Sequence, residues 1–189
     1  MDDFKLQNKL NEIENRIINL SNQIRNVENV LFNHKHTGFD KSQQIVFKGS
    51  NSKVKAYRSG SNQSIANDTW TKVQLNATEF DYSSEFDTST NYRFTAKETG
   101  YYLVCGQIKI SNATDQTSLK VAIYKNGSSI VDTFLQPSST GDDITTNISD
   151  IVYLKANEYL ELYAYHYYGS TQNIIYGSNN TFMSIHRLS

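Results

Sequence analysis

Cysteine and proline are almost missing from this chain, with one of each among 189 residues. A single thiol excludes an internal disulfide. Cys105, set in the apolar run YYLVCGQIKI, reads as a small buried hydrophobe. The lone Pro137 falls in a loop between strand-like runs. Neither sign of charge is in surplus: 18 Lys and Arg face 19 Asp and Glu, a net charge of −1. That balance speaks against a nucleic-acid partner and against docking to an anionic membrane. No apolar run approaches the ~20 residues that cross a bilayer, so no membrane insertion is expected. The start, MDDFKLQNKL, is charged and interrupted, unlike a secretory signal. The tripeptides Asn-x-Ser/Thr at Asn67, Asn76, Asn112, Asn126, Asn147 and Asn179 then read as a by-product of Asn/Thr-rich composition. A Gly-x-Ser-x-Gly elbow and a phosphate-binding glycine loop are also missing. Asp142, Asp143, Glu158 and Glu161 do not by themselves mark a hydrolase. No catalytic residue is assigned, and the chain is expected not to be an enzyme.

What is present falls into two patterns. Leu6, Leu10, Ile13, Ile17, Leu20, Ile24, Val27 and Leu31 are spaced 4, 3, 4, 3, 4, 3, 4. This is an a/d seam, with Leu10, Ile17, Ile24 and Leu31 at a, and the others at d. A period of 3.5 dictates a left-handed supercoil. A two-in-seven stripe is too narrow for a globular core, so it calls for further copies of itself. No proline or glycine interrupts the segment, which at 1.5 Å per residue is about 39 Å long. Ile and Leu share both a and d, a mixture that favours trimers over dimers. Lys9 with Glu14, and Gln23 with Glu28, offer g–e pairs for a parallel arrangement.

From about residue 45 the period becomes two. VKAYRSG, TKVQLNATEF, YRFTAK, GYYLVCGQIKIS, SLKVAIYK, SSIVDTFLQ, ISDIVYLK, EYLELYAYHYYG and TFMSIHRLS each read as a strand. Asn126-Gly127 between two of them is a hairpin signal. Nine or ten strands without helical periodicity predict a sandwich or barrel. The expected divisions are a coiled-coil stalk over 1–32, a linker over 33–52 and a β head over 53–189.

Trp70 is followed by TKVQLNATEFDYSSEFDTSTNYRFTAKETGYYLV, which contains Phe86-Asp87, Phe94 and Gly100-Tyr101-Tyr102. Lys125-Asn126-Gly127, a strand at Val152 and a final strand from Phe182 come after it. In order and spacing, residues 54–188 resemble the jelly-roll heads of the complement globular head and tumour necrosis factor superfamily. The resemblance implies an all-β jelly-roll sandwich head on an N-terminal α-helical trimeric coiled coil. The Gly-x-y collagen stalk of complement relatives is absent. The resemblance also implies a homotrimer. In EYLELYAYHYYGS, Leu160, Leu162 and Ala164 alternate with tyrosines. Tyr159, Tyr163, Tyr165 and Tyr167 are therefore expected at the head's trimer interface, in preference to a sugar-binding platform.

His34 and His36 lie just beyond the seam. In an extended segment i and i+2 point the same way. Three chains would then converge six imidazoles, a donor set suited to an octahedral transition metal. The stretch also resembles the His-x-His motifs of bacteriophage long tail fibres, which implies a structural Fe, or Zn or Ni, at the junction. The competing reading is a polar linker. His166 and His186, isolated on strands, are given no role.

Strand parity in a jelly roll places residues 111–117, 138–147 and 169–180 at the end distal to the stalk. Asp142, Asp143, Asn173 and Tyr176 in them are the candidate receptor-binding residues. These readings combine into a trimeric bacteriophage fibre or spike, exposed on the virion. Residues 1–5 would hold it to other virion proteins, and its head would adhere to a host surface glycan or protein. The alternatives are a cellular complement-like recognition module, secreted or on a spore, and a purely structural decoration protein.

Overall fold

A computed structural model describes residues 2–32 and 52–188. The chain divides into two compact units, residues 1–47 and 48–189. His34 and His36 lie outside the described residues.

In the first unit the heptad segment is one helix, α1 (Asp2–Phe32), of 31 residues. It is continuous because nothing in it breaks an i→i−4 ladder: it has no Pro or Gly and many straight-chain residues. Leu10, Ile13, Ile17, Leu20, Ile24 and Val27 are each 46–58 % exposed. Within one chain the seam is therefore open. Leu6 and Leu31 are helical in backbone, and their side chains lie outside the described residues.

The second unit is a sandwich of two antiparallel sheets, with thirteen strands among the described residues. The seven-stranded sheet holds β1 (Lys53–Tyr57), β2 (Gln63–Ile65), β4 (Ala77–Asp81), β7 (Gly100–Ile110), β10 (Ile144–Leu154), β12 (Gln172–Ile174) and β13 (Phe182–Arg187). The six-stranded sheet holds β3 (Thr71–Lys72), β5 (Phe86–Asp87), β6 (Arg93–Thr95), β8 (Ser118–Lys125), β9 (Ser128–Leu135) and β11 (Tyr159–Tyr167). β7 is the hub of the first sheet. It pairs along its whole length with β10, from Leu154↔Gly100 to Ile144↔Ile110, and on its other side with β13 and the end of β12. β1 joins β13 to β4, and β2 pairs with β12. In the second sheet the order is β5-β6-β11-β8-β9, with β3 also on β11. From β7 onward the chain crosses between the sheets, as a jelly roll requires.

Alternation explains the core. Along β7, Tyr102, Val104, Ile108 and Ile110 point inward; on β11, Leu160, Leu162 and Ala164 do so. The Phe94 and Tyr102 rings meet edge to face at 5.5 Å. The Tyr102 hydroxyl donates to the Glu98 carbonyl at 2.6 Å, which satisfies its polar tip. Asn126 and Gly127 both have positive φ, 51° and 82°, so the β8–β9 hairpin turns as type I′.

The structure corrects the expected map in four places. TKVQLNATEF is not one strand. It divides into β3 and β4 in different sheets, and Val73 and Leu75, both fully buried, carry the chain through the core between them. ISDIVYLK begins earlier, at Ile144, so the expected loop 138–147 gives its last four residues to β10. The short β12 lies in the stretch 169–180 read as a loop, and the short β2 in a stretch given no element. Cys105 is half-exposed on the outer face of β7, because it shares parity with Tyr101 and Leu103 and not with Val104.

Candidate recognition surfaces

The three loops expected at one end do meet there, and a fourth joins them. Ala113 N–H donates to the Asp142 carbonyl at 2.8 Å and Gly141 N–H to the Ala113 carbonyl at 2.9 Å. Asp115 N–H donates to Thr140 Oγ1 at 3.0 Å, and Gln116 N–H to the Pro137 carbonyl at 3.0 Å. Ser111 N–H donates to the Asn173 carbonyl at 3.0 Å. The turn after β1 enters through Asn62, whose Oδ1 accepts from Tyr176 N–H at 3.1 Å, and Arg58, whose carbonyl accepts from Gly177 N–H at 2.8 Å. Backbone groups of all four segments are thus used internally, with the Thr140 and Asn62 side chains among their partners, which holds the end as one surface. Ser52, where the described head begins, belongs to the opposite end: its carbonyl accepts from Arg187 N–H.

All four candidate residues, Asp142, Asp143, Asn173 and Tyr176, are exposed. Asp142 Oδ2 accepts from Ser139 Oγ at 2.6 Å, and Asp143 Oδ2 lies 3.4 Å from Lys109 Nζ. Asp142 and Asn173 are linked through the 111–117 loop, while Tyr176 sits on the Arg58–Asn62 turn. That turn was absent from the expected site. Its signal was the run RSGSN, a turn composition at a strand end. Among the described residues no group of three His, Cys, Asp or Glu is placed to hold a metal ion.

The tyrosine stripe lies on the outer face of the six-stranded sheet, largely engaged within its own chain. The Tyr163 ring stacks on Tyr124 with centroids 4.0 Å apart, and Tyr165 packs on Trp70 at 5.5 Å. The Tyr165 hydroxyl donates to Asp68 Oδ1 at 2.6 Å, which raises its pKa by stabilising the protonated form. Arg93 covers the Tyr159 ring at 4.1 Å, and Lys120 lies over both Tyr165 and Phe134. Glu161, of the same parity, is buried beneath them in an ion pair with Lys72. Tyr159, Tyr163 and Tyr165 are half-buried, whereas Tyr167 stands out.

The outer face of the seven-stranded sheet is different. Tyr101, Leu103, Ile151, Tyr153 and Phe80 are 38–57 % exposed. Tyr101 and Tyr153 pack on each other at 5.3 Å. Beside them an open apolar pocket of about 370 Å³ is lined by Val54, Phe80, Leu103, Cys105 and Ile185.

No protein-family model matches the chain, and no curated protein does. Solved structures do match in fold. Eiger TNF from S. frugiperda superposes with a TM-score of 0.59 at 12% identity, over 73% of this chain and 92% of that one. Murine APRIL at pH 5.0 gives 0.55 at 12% identity, over 72% and 98%. The globular domain of zebrafish complement 1qA protein gives 0.52 at 11% identity, over 73% and 98%. The head has the jelly-roll fold of tumour necrosis factor and complement globular heads.

Proposed function

We propose that this chain is a self-assembling recognition module: three copies joined by α1 present three jelly-roll heads, whose distal loops bind a glycan or protein on a target surface. The observation that carries the reading is the open a/d seam, which one chain alone leaves in water. Three weak distal sites on one stalk raise effective affinity without a tight single contact. The activity is binding, with no chemical step.

Between heads, the outer face of the seven-stranded sheet is the better contact than the tyrosine face expected from the sequence. Its Tyr101, Leu103, Ile151 and Tyr153 are exposed apolar groups, with Lys55 over Phe182 at its β1–β13 side, while the tyrosines already bury against Trp70, Tyr124 and Arg93. Placing carboxylates there with Leu103→Glu and Ile151→Glu in the full chain is expected to lower the melting temperature of the heads by several degrees. Tyr167→Glu, on the other face, is expected to leave it unchanged. The reverse pattern would return the interface to the tyrosines.

The recognition role is tested by applying the purified trimer to arrayed glycans and surface proteins. Binding that falls at least tenfold with Asn173→Ala and Tyr176→Ala, at unchanged oligomeric mass, supports the distal site. Binding that survives both, or no binding at all, removes it and favours a purely structural role.

A complement-like module, secreted or on a spore, fits these features. A second, narrower reading is a bacteriophage fibre exposed on the virion, held there by residues 1–5. It is favoured by His34 and His36, one residue apart directly after the seam. Three such pairs would take a structural Fe, or Zn or Ni, as neutral imidazoles, so the metal would leave as the pH falls below about 6.5. Metal content of the purified trimer before and after chelation, and again with His34→Ala, tests the site.

A further inference from the structure

One histidine in the core bridges the two sheets. His166 on β11 is fully buried, and its Nε2 lies 3.2 Å from the Ile65 carbonyl oxygen on β2. A neutral ring meets that carbonyl by donating from Nε2, which leaves Nδ1 as an acceptor. Nδ1 has no hydrogen-bond partner among the described residues, and neither has the hydroxyl of Tyr168, whose ring lies 5.1 Å away.

The element that His166 holds is the least anchored strand of its sheet. Among the described residues β2, three residues long, pairs only with β12, itself three residues with one ladder position on β7. Its other ties are neutral: Gln63 Nε2 donates to the Lys72 carbonyl at 2.8 Å, and Gln63 Oε1 accepts from Gln74 N–H at 2.7 Å. The chain continues from Ile65 to Asn67, whose Oδ1 accepts from the N–H groups of Tyr168 and Gly169. From Gly169 the chain runs into the segment 169–180.

We propose that His166 is an acid-sensitive latch: a proton on Nδ1 puts an unpaired charge between the sheets and releases β2 and β12, loosening the distal end. Apart from the Ile65 carbonyl, the groups facing the ring offer that charge no support. Its ladder partner Leu119 is apolar, and Tyr168 is neutral. Asp68 donates its N–H to the His166 carbonyl, but its carboxylate accepts from Tyr165. Burial holds the imidazole below its ordinary value of 6.5, against a smaller upward pull from the Ile65 carbonyl. The closed form therefore stays neutral while the opened form takes up a proton below about pH 6.5. The latch is fully shut at neutral pH and weakens as pH falls. The device does not depend on what the distal end binds.

Amide hydrogen exchange of the full chain at pH 7.5 and 5.5, corrected for intrinsic rates, tests it. Opening of β2 and β12 is expected to rise about tenfold, the limit for one proton over the unit below 6.5, with the centres of β8 and β11 unchanged. His166→Gln keeps a donor for Ile65 and removes the basic nitrogen, and is expected to abolish the difference. A change spread evenly over the sandwich, no change, or the same change in His166→Gln overturns the latch. Should that variant not fold, the imidazole NMR titration of the unaltered chain decides: a midpoint near 6.5 overturns the proposal, and one clearly lower supports it.

Discussion

Changing Ile17 and Ile24 to Lys is expected to bring the sedimenting mass from three times 21.6 kDa down to 21.6 kDa, and to remove most of the helical circular dichroism. Both residues sit at a positions, and each is more than half exposed in the single chain. In a trimer those six side chains leave water together. At about 1.5–3 kcal/mol per fully buried Ile, their loss removes about 9–18 kcal/mol per trimer before any cost of crowding six ammonium groups. A helix of 31 residues with an open seam is marginal in water, because most helical stability comes from packing an apolar face. Dissociation and unwinding should therefore come together. Ile18 supplies the control. It is the same residue type and as exposed, at 59 %, but it lies one step round the helix at b. Ile18→Lys is expected to leave the mass at three chains. If Ile17/Ile24→Lys and Ile18→Lys behave alike, the heptad argument fails; a starting mass of one chain ends it.

The same contrast shows what the residues disclosed and what they withheld. The helix was legible because its signal is local: spacing of 3.5 and no breaker. Period-two alternation likewise disclosed most strands, and Asn126-Gly127 disclosed its turn. Alternation says which residues share a face, but not which face is inside. In the first half of GYYLVCGQIKI both parities are apolar, and only the later Gln107 and Lys109 mark Tyr101, Leu103 and Cys105 as the outer set. The tyrosines of β11 share its outer face. Its neighbours Trp70, Tyr124 and Arg93 are distant in sequence, and only the fold brings them onto it. Val73 and Leu75 kept the strand pattern of TKVQLNATEF running while the backbone changed sheets, so nothing local marked the break. That the loops 111–117, 138–143 and 169–180 meet at one end follows from strand parity, a topological property. The Arg58–Asn62 turn was overlooked because β2 and β12, at three residues each, are too short to show a period. His166 had no visible role, since its burial and its Ile65 acceptor are set by long-range pairing.

Gly106 and Leu162 are expected to destabilise the head when changed singly and to compensate in part when changed together. Gly106 lies in the middle of β7, opposite Ile148 on one side and Met183 on the other. A Cβ there would stand 2.6 Å from Leu162 Cδ1 and 3.2 Å from Ile148 Cγ2. Leu162, fully buried on β11, fills the space that the glycine leaves between the sheets. Gly106→Ala therefore overpacks the core, at about 1–3 kcal/mol. Leu162→Ala opens a cavity, at about 2–5 kcal/mol. In the double variant the new methyl occupies part of that cavity and meets no Leu162 methyl. Its cost should fall short of the sum of the singles by about 0.5–3 kcal/mol, the range for residues in direct contact. Denaturant unfolding at a fixed protomer concentration measures all three, since assembly makes the midpoint depend on concentration. Additivity within about 0.5 kcal/mol would mean that the two residues do not share this space. The packing of β7 on β11, which sets the distance between the sheets, would then need a different account.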